Sequence, residues 1–479
     1  MKRITLVFTL ILLVSQVFSQ EVWTLEKCIE YALSNNLQLK QQDLYLKGVN
    51  DNLAQSKLNV LPSVNGFAMH EYNYGQTIDR YTNQFASSRV RSNNFYLSSS
   101  FTLFNGFQKI NTIKQNKIEL EAAHFDTDKY MDDMSLNIAT AYLQILYYKE
   151  LLKIAQKQVE ATGLQASRLK KLVDAGALAP GDFYNIQAQL ASENVQVVDA
   201  QNNLDLSYLT LAQMLDLSST EGFEIESPDL DIAANPSLVA LPEQIYSFAL
   251  ENQPSIKSAE AKLRSSEVGV EIAKSNIYPT LTLTGSWGTG YSGAAQILDS
   301  AALGDPQLVP VGYTMKDGLP DQYVFSEYTI PVYKVKPFSD QISDNINKSI
   351  SFNLNVPIFN GGQARKAVSQ ARLNYENSKL SYDISKLELQ KTVQQAYANA
   401  HASLNKYESS EMGVKAAEES FRYADQKFTV GSINSVEYNN AKKDFEKAES
   451  QRLQAKYDFI FKSTVLDFYM GKPITLKRK

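Results

Sequence analysis

The sequence predicts an α+β membrane protein in which very long helices alternate with pairs of amphipathic strands. Three observations predict it. Apolar residues recur every seven positions across residues 361–430, and the same pattern occurs 255 residues earlier. Before each of these stretches the period changes to two, which is typical of strands with two different faces. The chain is therefore an internal tandem repeat, and each copy supplies two strands and one long helix.

The long helix of the second copy is predicted from Gly361 to Val430. Because a strict period of seven keeps one stripe facing a partner helix, it predicts packing in a left-handed coiled coil. At 1.5 Å per residue this helix would be roughly 105 Å long. One line of the heptad is apolar and consists of Val393, Ala400, Tyr407, Val414, Phe421 and Phe428. A second line, three residues later in each heptad, holds small residues: Ala396, Ser403, Ser410, Ala417 and Ala424.

The first copy repeats these features without a gap. Phe104-Asn105-Gly106 matches Phe359-Asn360-Gly361, and Gly176 matches Gly431. The residues 255 positions before the apolar line of the second copy are Ile138, Ile145, Leu152, Val159, Ala166 and Val173. A half-length helix precedes each strand pair, and a shorter helix returns after each long one. The two shorter helices together match the long helix in length, which predicts that they stack end to end.

The chain therefore divides into nine predicted segments. These are a signal peptide (1–19), a first half-helix (20–61), a first transmembrane β-hairpin (62–105), a long helix with its tip and return helix (106–216), a linker (217–241), a second half-helix (242–278), a second hairpin with a long loop (279–360), a second long helix with tip and return helix (361–472) and a tail (473–479).

Residues 1–19 have the features of a secretory signal peptide. Lys2 and Arg3 precede an apolar run, and the small residue Ser19 stands at the expected cleavage point. Removing these two cations changes the formal charge from −5 to −7, which argues against nucleic acid as a partner. Cys28 is the only cysteine, and its place on an apolar helix face predicts a small core residue.

Four strands with one apolar and one small polar face are predicted. In the second hairpin, Leu281, Leu283 and Trp287 alternate with threonine and serine, and the segment after residue 349 behaves likewise. Each strand has about 9–11 residues, the length that crosses a bilayer when tilted. Residues 289–349 are rich in glycine, proline and tyrosine and are predicted to be a large loop at the hairpin tip.

Four such strands cannot stand alone in a membrane. Each open edge would leave backbone groups unpaired in hydrocarbon, at several kcal/mol each, so only closed barrels are stable there. Three chains would supply the strands of a trimeric 12-stranded β-barrel, continuous with a long α-helical coiled-coil barrel. The polar faces would then line the lumen and the apolar faces would contact lipid.

The combined pattern resembles the TolC-like outer-membrane efflux proteins. The resemblance rests on the signal peptide, the two repeats, the strand-to-helix joints Leu103–Gly106 and Ile358–Gly361, and tips of the form Gly-x5-Asp/Glu. It covers nearly the whole mature chain. It implies a homotrimer in the cell outer membrane that extends into the periplasm, where a periplasmic adaptor docks at the tip. It also implies an inner-membrane pump as partner.

The resemblance places candidate functional residues at the two helical tips. It implies adaptor docking at Gly176, Pro180, Gly431 and Ser435, and narrowing of the tunnel entrance by acidic residues just beyond, here Asp182 and Glu437. Threefold-repeated carboxylates would select against anions and respond to divalent cations. Asn185 and Asn440, one turn further, could hydrogen-bond across the closed entrance.

A simpler interpretation of the same residues stays open. Gly176 and Gly431 could be ordinary helix C-caps, and Asp182 and Glu437 could be first-turn acids favoured by the helix dipole.

The predicted function is that of a passive outer-membrane duct, without enzymatic activity, cofactor or metal. His70, His124 and His401 are scattered with no other ligand at metal-binding spacing. An alternative is a non-conducting extracellular coiled-coil stalk or adhesin. That alternative explains the heptads and the signal peptide, but not the four amphipathic strands that interrupt the heptads twice.

Overall fold

A computed structural model describes residues 22–86, 89–228, 230, 240–300 and 304–476 of the chain. The predicted signal peptide therefore lies outside the described residues, as does most of 229–239 in the predicted linker. Two compact units are present. One falls within Met1–Asp51, Asn116–Ser266 and Asn374–Lys479, and the other within Asn52–Gln115 and Glu267–Leu373.

The helices follow the predicted order in both repeats. The first repeat contains α1 (Leu25–Asn35), α2 (Leu37–Leu58), α3 (Gln108–Asp174) and α4 (Pro180–Met214). The second contains α5 (Pro242–Asn252), α6 (Pro254–Ser275), the short α7 (Phe338–Asp344), α8 (Gln363–Thr429) and α9 (Ser435–Tyr469). Within the described ranges, none of these helices is long and apolar enough to cross a membrane.

The heptad lines are the buried faces of the two long helices, as predicted. Each long helix has 67 residues. Ile138 and Ile145 in α3, and Val393 and Ala400 in α8, are fully buried. Every other residue of the lines is buried or half-buried. The prediction that these stripes are the packed faces of the long helices is confirmed for the residues named, and the left-handed supercoil stays a prediction.

The N-terminal half-helix of each repeat is broken, where a single helix was predicted. In the second repeat Pro254 explains the break, because proline disfavours helical geometry in the residue before it, and Gln253 is extended (φ −65°, ψ 127°). In the first repeat Asn36 takes a similar conformation. Its side-chain oxygen accepts hydrogen bonds from the backbone N–H groups of Gln38 and Leu39 and so begins α2.

The break in the first repeat lies against the end of α4. The Asn36 side chain donates to the carbonyl of Met214 over 3.4 Å, and the backbone N–H of Leu37 donates to Asp216 Oδ2 over 3.0 Å. The start of α2 thus lies next to the end of α4. This contact agrees with the predicted end-to-end stacking of two shorter helices, but α1 is a separate element.

The main core of the helical unit surrounds Tyr142 of α3. Its hydroxyl donates to the carbonyls of Trp23 and Glu226, over 3.1 and 2.8 Å. Cys28 is fully buried in the same cluster, as predicted, and burial raises the pKa of its thiol to about 12. The first part of the predicted linker also enters this core, because Phe223 and Ile225 are buried.

The second unit holds a four-stranded antiparallel sheet of β1 (Ser63–Asn73), β4 (Val90–Asn105), β5 (Thr280–Ser292) and β10 (Asn347–Asn355). The strands are paired in the order β1-β4-β5-β10. The register places small polar residues opposite one another, for example Ser351 and Ser100 on either side of Thr284. One face is therefore polar and the other apolar, as predicted. A bulge between Thr102 and Phe104 shifts Phe104, not Leu103, opposite Leu281.

The loop predicted at 289–349 contains ordered structure. It includes a ladder of β6 (Gln296–Leu298) with β9 (Tyr333–Val335), and a hairpin of β7 (Pro306–Lys316) with β8 (Leu319–Thr329). Asp317 and Gly318 form its turn, both with positive φ. The first hairpin likewise carries the short pair β2 (Thr77–Ile78) and β3 (Phe85–Ala86). Glycine and proline here mark turns within a hairpin, which composition alone did not separate from an irregular loop.

Gly106 and Gly361 occupy equivalent positions between a strand and the long helix that follows it. Alanine substitutions at both positions measure how tightly each connection is packed. Both have a left-handed φ near 65°. A Cβ on Gly106 would lie 2.9 Å from the carbonyl oxygen of Ser275, whereas a Cβ on Gly361 would meet nothing within 4 Å. We expect Gly361→Ala to destabilise by about 1–2 kcal/mol through backbone strain. Gly106→Ala should carry the same strain and destabilise the protein by about 1–3 kcal/mol more, because its Cβ would be overpacked against Ser275.

Thermal unfolding of both purified variants in detergent measures the difference. Equal losses of melting temperature would contradict the close packing at Gly106.

Candidate functional site

The two helical tips have the same backbone geometry. At the first tip the N–H of Gly176 donates to the carbonyl of Val173 and that of Ala177 donates to Leu172. Gly431 and Ser432 make the corresponding bonds to Phe428 and Lys427. Both glycines have positive φ, so each tip ends its long helix in a Schellman motif. Gly176 and Gly431 therefore act as C-caps, and both are exposed.

The return helices begin differently in the two repeats. Helix α4 has Ala179 as N-cap with no side-chain cap bond, and Pro180 as its first residue. Helix α9 has Asn434 as N-cap, whose side chain accepts from the N–H of Glu437 over 2.9 Å and donates to its carboxylate over 3.2 Å. Glu437 thus helps to cap its own helix. Asn440, one turn further along α9, is exposed.

Three of the predicted site residues meet where the two return helices begin. Ser435 Oγ donates to Asp182 Oδ1 over 2.8 Å, and Asn185 Nδ2 donates to Ser435 Oγ over 3.2 Å. The bridge joins the first residue of α9 to the third residue of α4. It depends on a difference between the repeats, because the residue equivalent to Ser435 in the first repeat is Pro180, which has no donor.

Apolar side chains pack next to this bridge between the two return helices. Phe428 stacks on Tyr438 with ring centroids 4.7 Å apart, and Phe421 stacks on Phe445 at 5.8 Å. Phe428 also packs against the small cluster of the first tip, which contains Leu169 and Ile186. The two tips are therefore held together by one polar bridge and by the packing of Phe428 against the apolar cluster of the first tip.

A buried charged cluster lies seven residues beyond Ser435 along α9. Lys442 Nζ lies 2.8 Å from Glu193 Oε1 of α4 and 3.2 Å from Glu446 Oε1 of its own helix. It also donates to Thr162 Oγ1 of α3, and Gln189 donates to Glu193 over 2.9 Å. Glu193 is 1 % exposed and Lys442 is 6 % exposed. We call these five residues the lysine cluster.

The lysine cluster links three helices and carries a net charge of −1. Burial raises the pKa of Glu446, the nearby carboxylates of Glu193 and Glu449 raise it further, and Lys442 opposes the shift. Glu193 Oε2 has no hydrogen-bond partner in the described structure. One ammonium therefore serves two carboxylates in a setting where unpaired charge is costly.

Sequence reasoning missed the lysine cluster, although a signal was present. The buried face of α9 passes through Ser435, Tyr438, Lys442 and Glu446, which lie three or four residues apart. Charged residues on such a stripe indicate either an exposed face or a buried ion pair. The partner Glu193 is distant in sequence, so only the fold identifies it.

The described residues contain no group of three histidine, cysteine or acidic side chains placed to hold a metal ion. The three histidines are exposed. The chemistry that these residues supply is hydrogen bonding and ion pairing between helices, at the bridge and in the lysine cluster.

Glu446→Gln tests the cost of the second buried carboxylate. A raised folded-state pKa means that the native protein binds this proton more tightly than the unfolded chain does. Stability therefore falls as pH rises from the ordinary glutamate value through the raised one. At pH 7 the glutamine variant should melt at or above the temperature of the unmodified protein, and the difference should disappear near pH 4.

Lys442→Met supplies the contrast, because it leaves two buried carboxylates unpaired. It should destabilise by about 3–5 kcal/mol, whereas Lys443→Met, at an exposed neighbouring position, should have little effect. A glutamine variant less stable than the unmodified protein at pH 7 would show that Glu446 contributes favourably as an ion.

Comparison with known proteins places this architecture in one family. The family described as Outer membrane efflux protein matches residues 28–216 and 245–472. Outer membrane protein TolC of Escherichia coli strain K12 is 22 % identical over 409 residues, covering 78 % of this chain and 73 % of its own length. Outer membrane protein TolC of Vibrio cholerae is 21 % identical over 444 residues, covering 92 % and 90 %.

The fold agrees with solved structures over nearly the whole chain. The structure of CusC superimposes with a TM-score of 0.74 at 15 % identity, covering 94 % of this chain and 92 % of CusC. The predicted fold class is thereby confirmed, and the family assignment decides against a non-conducting stalk. The chain belongs to the outer membrane efflux protein family and is an outer-membrane duct of an efflux system.

Proposed function

We propose that three copies of this chain form one closed 12-stranded barrel in the outer membrane, with the helices forming a periplasmic tunnel. The chain conducts passively, and an inner-membrane pump coupled through a periplasmic adaptor supplies the energy. The observation that carries the proposal is the four-stranded sheet with one apolar and one polar face, whose edge strands β1 and β10 each pair on one side only among the described residues.

The edges explain why assembly is needed. Thirteen residue pairs join β4 and β5, whereas the outer sides of β1 and β10 present N–H and carbonyl groups that no described strand pairs. In a bilayer each such group costs several kcal/mol, so β1 of one chain is expected to pair with β10 of the next. Closure by three copies leaves no edge.

The two faces of the sheet then have separate environments. Leu283, Phe352 and Leu354 lie on the face that would contact lipid. Thr282, Thr284, Ser351 and Asn353 lie on the face that would line the lumen. Short hydroxyl and amide side chains hydrate well without binding a passing molecule tightly, which suits a conduit.

The tips are proposed to be both the docking surface and the entrance. Gly176, Pro180 and Gly431 are exposed at the turns, where an adaptor can reach the backbone. Next to them, Asp182, Asn185 and Ser435 form the bridge between the return helices. Separating α4 from α9 to widen the entrance would require the bridge to break, so it would hold the resting state.

Mass and conductance measured on one purified sample test the assembly. In detergent the protein should have three times the chain mass, and in planar bilayers it should form channels. Leu283→Asn should abolish both through its polar group on the lipid face, whereas Thr284→Asn on the polar face should preserve both. A monomeric protein that never conducts would refute the proposal.

Variants that change only charge test the entrance. Asp182→Asn and Glu437→Gln keep side chains that can hydrogen-bond but remove the negative charges. Together they should relieve block by divalent cations and reduce cation selectivity severalfold.

Ser435→Ala removes the bridge and keeps the charges. It should raise the open probability at low voltage and leave divalent block unchanged. If the charge variants conduct and are blocked like the unmodified protein, the roles of both acids are structural only, Asp182 in the bridge and Glu437 at the start of α9.

A further inference from the structure

We propose that the polar face of the sheet carries a binding site for planar aromatic molecules bearing a carbonyl or carboxylate group. The site lies toward the Ser292 end of β5 and is built from Phe67, Met69, Tyr81 and Tyr96, with Arg80 beside them. We call it the aromatic site. Its place inside the duct rests on the proposed function, but its capacity to bind can be measured separately.

The register shows a change of character along the polar face. Moving along the strands, cross-strand rows of serine, threonine and asparagine continue as far as Asn65, Ser98 and Ser286. The next row on the same face is Phe67, Tyr96 and Gly288, and the row after that is Met69, Asn94 and Gly290. Directly opposite residues point to the same side, so the aromatic residues interrupt an otherwise small, polar surface.

Two glycines of β5 leave the space that the rings of Tyr96 and Tyr81 occupy. A Cβ on Gly288 would lie 3.0 Å from Tyr96 Cδ2, and a Cβ on Gly290 would lie 1.8 Å from Tyr81 Oη. Each tyrosine therefore lies over backbone where a side chain is missing. The Tyr81 hydroxyl also donates to Asn94 Oδ1, which fixes its ring to β4.

The rings border a cavity of about 630 Å³. This volume is within the range of about 300–1,000 Å³ that is typical of small-molecule sites. Phe67 is 58 % exposed and Tyr96 is 42 % exposed, so their faces remain available. A cavity of this size with exposed ring faces suits a small molecule better than a protein segment.

Arg80 decides the polar part of the ligand. It lines the same cavity and makes no ion pair with any described residue. A guanidinium offers paired N–H donors to a carbonyl or carboxylate and also stacks on rings. The other charged residue of the cavity, Asp344, is paired with Lys336. The chemistry therefore favours an aromatic body with an acceptor group.

The test compares 2-naphthoate with cyclohexanecarboxylate. Both are monovalent carboxylates, so the acidic tips affect them alike, and only the first has a planar aromatic body. Each is added to the extracellular side of a planar bilayer and the block of current is measured. Binding of 2-naphthoate to the detergent-solubilised protein is measured in parallel by its fluorescence anisotropy.

We expect 2-naphthoate to block and bind at a concentration at least about tenfold lower than cyclohexanecarboxylate. Removing one ring should weaken 2-naphthoate by about two- to tenfold, so Phe67→Ser with Tyr96→Ser should abolish the preference. Phe67→Tyr should retain it. Tyr323→Ser, the same chemical change at an exposed position on β8 outside the cavity, is the matched control and should have no effect.

Arg80→Gln changes one exposed side chain and tests the same site if the Phe67→Ser, Tyr96→Ser double variant fails to assemble. It should weaken 2-naphthoate severalfold. Equal affinity for the two acids, or unchanged 2-naphthoate binding in both variants, would overturn the aromatic site. Binding with the expected preference but without conductance would instead refute the duct and leave the site in place.

Discussion

The burial of one stripe along the second half of each long helix is the constraint on which the rest of the molecule depends. A helix of 67 residues owes most of its stability to the packing of one face against its neighbours. The seven-residue period supplies that stripe from Ile138 to Val173 and again from Val393 to Phe428. The breaks, caps and turns of the shorter helices all serve to bring partners to this stripe.

Polar groups on buried faces give the tips a specific arrangement. Apolar heptads alone would allow neighbouring helices to slide by one repeat, because each turn of the seam looks like the next. The lysine cluster and the Ser435–Asp182 bridge remove that freedom, since each pairs one residue of α9 with one residue of α4. Both depend on differences between the two repeats. Duplication supplied similar helices, and divergence made their contacts unequal.

The sheet must satisfy two separate requirements, backbone pairing across the strands and side-chain alternation along them. Backbone pairing runs across the strands and leaves β1 and β10 open, so the sheet needs other copies of itself. Side-chain alternation runs along the strands and separates a face for lipid from a face for water. The aromatic site departs from this rule on the watery face only. Exposed rings on the wall of a conduit reduce its hydration and bury little apolar surface, so packing alone does not explain them and a binding role does.

Much of this organisation follows from the sequence itself. The heptads determined which residues of α3 and α8 are buried, and the alternation in residues 280–287 determined the two faces of β5, because both patterns are local consequences of helix and strand geometry. The paired glycines likewise marked the Schellman turns at both tips, and Asp182 and Ser435 were identified as residues of the tips without knowledge that they bond to each other.

Contacts between distant segments were decided only by the tertiary structure. Lys442 and Glu193 are 249 residues apart, and the chain offers many other lysines and glutamates with the same local surroundings. The same holds for Tyr81 above Gly290 and for the hairpin within residues 289–349, where glycine and proline allow several turns and only strand pairing selects one. Sequence periodicity specifies the face that a residue occupies, whereas its partner depends on how separate segments pack, which no local pattern records.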